Sequence, residues 1–65
     1  MTDVTMHCEG SLVGFSPHSG EAWVWFEENV HSEGWQWMGT TLWVDRRYAH
    51  ALADGVAEAG LQLEL

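Results

Sequence analysis

The chain has 65 residues and a formal net charge of −8, with ten Asp or Glu set against two Arg and no Lys. Its length allows one domain, and 46% hydrophobic with 18% charged residues marks a globular chain rather than a disordered one. The acidity argues against direct binding to nucleic acid or to anionic membranes, because both rest on Lys and Arg.

In chain order, the first apolar stretch predicts one strand within Met6–Phe15, with Gly10 and Gly14 as bends. Ser16 followed by Pro17 reads as a helix start, Ser16 capping and Pro17 losing only an orphan N–H. Ala22, Trp23, Phe26 and Val30 then share one helical face, predicting a helix over Glu21–Val30. Trp23-Val24-Trp25-Phe26 is also rich in strand formers; the acidic Glu27 and Glu28 and the cap signal favour helix, and the orientation of Trp25 stays open.

His31-Ser32-Glu33-Gly34 is expected as a loop, followed by two strands, Trp35–Met38 and Thr41–Val44, around Gly39-Thr40. Glycine at the first position of a two-residue loop signals a type II′ hairpin. That turn pairs Met38 with Thr41, Trp37 with Leu42, Gln36 with Trp43 and Trp35 with Val44. Period-two alternation puts Trp35, Trp37, Leu42 and Val44 on the core face, and Gln36, Met38, Thr41 and Trp43 on the other. A register slip of one residue would turn Trp43 inward instead.

Asp45 reads as an N-cap for a helix from Arg46 to Ala59, with Tyr48, Leu52, Val56 and Ala59 as its apolar stripe beside Ala49 and Ala53. Gly55, unfavourable in a helix interior, suggests close approach to the sheet, and Gly60 suits the C′ position. Leu61–Leu65 alternates like a short final strand. The sum is β-α-β-β-α-β, a two-layer α+β sandwich with two helices on one sheet face and the other face open.

Phe15-Ser-Pro, Ala22-Trp23, Trp37-Met-Gly39, Leu42-Trp-Val44-Asp45-Arg-Arg47-Tyr48 and Gly60-Leu61 resemble a pattern in small uncharacterised acidic bacterial proteins, of the kind carried on phages, prophages or plasmids. The resemblance spans residues 15–61. It implies no activity and supplies no functional residue.

Candidate sites are few. His7, His18, His31, His50 and Cys8 show no zinc-like spacing, so no metal or cofactor is expected. Cys8 beside His7 suggests a nucleophile, yet adjacent strand residues face opposite ways, and the chain is expected not to be an enzyme. Arg46 and Arg47 sit at a helix N-terminus, where the dipole disfavours cations. Glu27, Glu28 or Asp45 could offset that cost, or an anionic group on a partner. Glu27, Glu28, Asp54 and Glu58, with Glu21 and His50 nearby in sequence, form an acidic surface that is either solubilising or a mimic of phosphates.

Gln36, Met38, Thr41 and Trp43 therefore stand out as a candidate interface, for a homodimer or a protein partner. The rival expectation is an acidic, DNA-mimic-like inhibitor of a host nucleic-acid-binding protein. One cysteine, no signal-peptide pattern at Met1–Val4 and no apolar run near 20 residues suggest a cytoplasmic protein.

Overall fold

The computed structural model of the chain describes residues 2–30 and 36–65. Its elements are β1 (Val4–Glu9), β2 (Leu12–Pro17), α1 (Gly20–Asn29), β3 (Trp37–Met38), β4 (Thr41–Asp45), α2 (Arg46–Glu58) and β5 (Leu63–Glu64). The strands make one sheet in the order β3-β4-β2-β1-β5, with β5 parallel to β1 and the other pairs antiparallel. The class is α+β, as the pattern predicts. Val4, Val13, Phe15, Leu42 and Val44 form the buried sheet face, covered by Ala22, Phe26 and Val30 at α1 and Ala49, Leu52 and Val56 of α2.

The single strand expected within Met6–Phe15 is a hairpin. Gly10 takes φ +61° in the two-residue loop Gly10-Ser11, setting Glu9 opposite Leu12. This is the turn device seen again at Gly39, whose φ is +65°, with no positive φ at Thr40. The second hairpin has the expected register, Trp37 with Leu42 and Met38 with Thr41. β3 begins at Trp37, so the expected Gln36–Trp43 pair is not part of it. The loop 31–34, Trp35 and its pairing with Val44 lie outside the described residues.

Ser19, not Ser16, caps α1: its hydroxyl accepts the Ala22 N–H at 3.1 Å. Pro17 instead ends β2, opposite Val4. Across β1 the His18 N–H reaches Asp3 O at 2.7 Å, while the Val4 N–H points to the other edge of the strand, to Gln62 O at 2.9 Å. That bond draws the C-terminal segment alongside β1.

α2 is capped as expected, the Asp45 carboxylate accepting the Arg47 N–H at 2.7 Å. Its buried stripe is Ala49, Leu52 and Val56 rather than one led by Tyr48, which is exposed, as is Ala59. Gly60 (φ +83°) ends it: Gly60 N–H reaches Ala57 O, and Leu61 N–H reaches Val56 O, the paired bonds of a Schellman motif. Gly55 does allow a close approach, but by α1 and not by the sheet. A Cβ there would lie 3.2 Å from Cζ2 of Trp25.

Candidate functional site

Alternation along the strands decides what the uncovered sheet face carries. Leu42 and Val44 are buried inward, so Thr41 and Trp43 point outward and the register does not slip. Trp43 does not stand free on that face. Its ring lies over Gly14, the cross-strand partner, where a Cβ would meet Cζ3 and Cη2 at 3.0 Å. The far edge meets the His7 ring, with centroids 5.1 Å apart and planes at 83°. Glycine on β2 thus lets the indole of β4 reach across to β1.

Met38 is 69% exposed beside this ring, and Gln36 is half-buried. With Glu9, Leu12 and Trp43 they line a shallow concavity of about 550 Å³. Thr41 contributes to the support rather than the opening, its hydroxyl bonded to that of Ser16 at 2.8 Å. Leu12 and Glu9 were not expected at this site; both follow once the first hairpin is recognised.

The arginines separate. Arg46 donates from Nη2 to Gly10 O at 2.7 Å, tying α2 to the first hairpin loop. Arg47 approaches the Asp45 carboxylate at 3.6 Å, and its side chain is 96% exposed. Asp45 is therefore the offsetting carboxylate. Glu27 and Glu28 form no ion pair with either arginine among the described residues. Glu27, Glu28, Asp54 and Glu58 are all exposed on the helices, as are Glu21 and His50.

The described tryptophans Trp23, Trp25, Trp37 and Trp43 are all half-buried, and none belongs to the fully buried set. Trp23 and Trp37 were expected inside. Instead they stack on each other at the margin, with centroids 5.3 Å apart, and Trp37 meets Phe26 edge-on. An interior one side chain thick is filled by Val, Leu, Ala and Phe; an indole fits at its rim. Trp25 lies between the helices and helps line a second hollow of about 580 Å³ with Gly20, Glu21, Val24, Glu28, Ala59 and Leu61.

Asp3 is a structural residue that composition gave no reason to select. Its carboxylate accepts the Gln62 N–H at 2.8 Å, and its own backbone bonds Gln62 and His18. The Gln62 N–H and then the Ser19 hydroxyl hold its carboxyl below the ordinary range.

Cys8 is free and exposed, and points away from His7, which faces Trp43. It shares a small cleft of about 170 Å³ with Arg46 and His50. His18 Nε2 lies 2.8 Å from the Thr5 hydroxyl. No group of three or more His, Cys, Asp or Glu side chains converges among the described residues, and no described helix is long and apolar enough to cross a membrane. Compared with protein-family models, curated proteins and solved structures, the chain matches none of them.

Proposed function

We propose that this chain is a non-enzymatic interaction protein that buries its open sheet face against a second copy of itself. The observation that carries the reading is the apolar concavity around Trp43 and Met38, on the sheet face that neither helix covers. The ionisable groups beside Trp43 are few: His7, Glu9 and an Asp45 already engaged by Arg47. A two-fold contact could pair His7 of one copy with Glu9 of the other. The helix-borne carboxylates would then point away from the contact, on the far layer, where salt screens charges separated by more than about 8 Å. A free, exposed Cys8 suits a reducing, cytoplasmic setting. Sedimentation equilibrium tests the reading: a concentration-dependent dimer that Trp43→Glu dissociates supports it, and a monomeric wild type rejects it.

A second reading draws on the opposite side of the molecule. Glu27, Glu28, Asp54 and Glu58 are exposed on the helical layer. They suit an acidic inhibitor that occupies a basic, nucleic-acid-binding groove of a host protein, and an origin on a mobile element would fit that role. Such binding weakens as salt rises, and weakens when these carboxylates are reversed to Lys. A homodimer of two acidic chains responds to salt in the opposite direction.

A further inference from the structure

The hollow between the helices differs in chemistry from the sheet face. Glu21, Val24, Trp25 and Glu28 follow each other at i, i+3, i+4 and i+7, so one stripe of α1 faces it. Its middle is apolar, with Val24 51% exposed and the Trp25 indole laid against Gly55. A glutamate stands at each end, the two backbone positions about 10 Å apart along the axis. Ala59 and Leu61 close the other side, at the C-terminus of α2. That end carries the negative pole of the helix dipole, and no basic residue occupies the last turn of either helix.

Two carboxylates and the α2 C-terminus thus border one apolar strip, set against the positive pole of α1 at Gly20 alone. No cationic side chain is among the described residues that line it. Arg46 is bonded to Gly10 and Arg47 sits by Asp45, both at the opposite end of α2. We infer that this groove docks an arginine-bearing segment of a partner protein, the guanidinium lying on Trp25 between Glu21 and Glu28. Arginine suits the site better than lysine: its planar head stacks on an indole, forks onto carboxylates, and its stem covers apolar surface. The site is independent of the sheet face.

The test titrates ¹⁵N-labelled protein at low salt with an acetylated, amidated pentapeptide alternating leucine and arginine. A second peptide carries citrulline for arginine, keeping the shape without the charge. The Trp25 indole N–H and the Val24 and Leu61 amides should shift saturably with the arginine peptide, and about tenfold more weakly with citrulline. Glu21→Gln combined with Glu28→Gln, both at exposed helix positions, should weaken binding about fivefold. Trp43→Glu should leave it unchanged. Equal affinity for both peptides, or shifts centred on Trp43, would overturn the inference. So would wild-type self-association that Arg47→Ala abolishes, since a second copy would then be the occupant.

Discussion

The indole of Trp43 rests on Gly14, its ring carbons 3.0 Å from the point where a Cβ would stand. The contact gives a role to the glycine in the middle of β2, between Val13 and Phe15, where it otherwise weakens a strand. Gly14→Ala also brings the new methyl to 2.9 Å from Thr41 Cγ2, so both side chains must move. Overpacking of this kind costs about 1–3 kcal/mol. Chemical denaturation should show that loss, and near-UV circular dichroism should show a displaced indole.

Gly55 sets two effects against each other. Alanine gains about 1 kcal/mol of helix propensity over glycine. The Trp25 ring, 3.2 Å from the new methyl, must yield by a few tenths of an ångström. Because that ring borders an open groove it has room to yield, so Gly55→Ala should be close to neutral. In a Trp25→Ala background the same change should recover the full propensity gain. A double-mutant cycle measured by urea unfolding reads the difference.

At the start of α2, one carboxylate has two roles of unequal weight. Asp45→Ala removes the cap on the Arg47 N–H and should cost about 1 kcal/mol, whereas Asp45→Asn retains most of it. Arg47→Ala removes only an exposed ion pair and should cost less than about 0.5 kcal/mol. Equal losses from Asp45→Asn and Asp45→Ala would show that the charge, not the cap, matters.

Much of this arrangement was legible in the sequence, and the failures have physical causes. Gly39-Thr40 flanked by apolar alternation gave the second hairpin and its register, and Asp45 and Gly60 bounded α2. Gly10-Ser11 carried the same turn signal but was hidden, because β1 alternates weakly: His7, Cys8 and Glu9 are all exposed. Missing that hairpin moved the α1 cap to Ser16 and left Glu9, Leu12 and Gly14 out of the site. The tryptophans misled differently. Periodicity finds the side of an element that faces inward, but not whether the interior is deep enough for an indole.

Asp3 links folding to pH. Its folded pKa lies below the ordinary carboxylate value of about 3.9, so its contribution is present above that value and is lost as pH falls through the folded pKa. Asp3→Asn should therefore melt below the wild type near pH 7. The gap should close in acid once the wild-type carboxylate is protonated. Thermal melts across that range check the sign; a gap that persists unchanged at the acid end would show that the Gln62 contact does not depend on charge.

The central claim concerns the face that Trp43 occupies, and sedimentation equilibrium across a salt series tests it most directly. The wild type should dimerise at micromolar concentration, and more tightly as salt screens two chains of net charge −8. Trp43→Glu should sediment as a folded monomer throughout, and so should Met38→Glu, at a position exposed enough to leave the fold intact. A wild type that stays monomeric at every concentration and salt, or a dimer that neither substitution disturbs, would contradict the account.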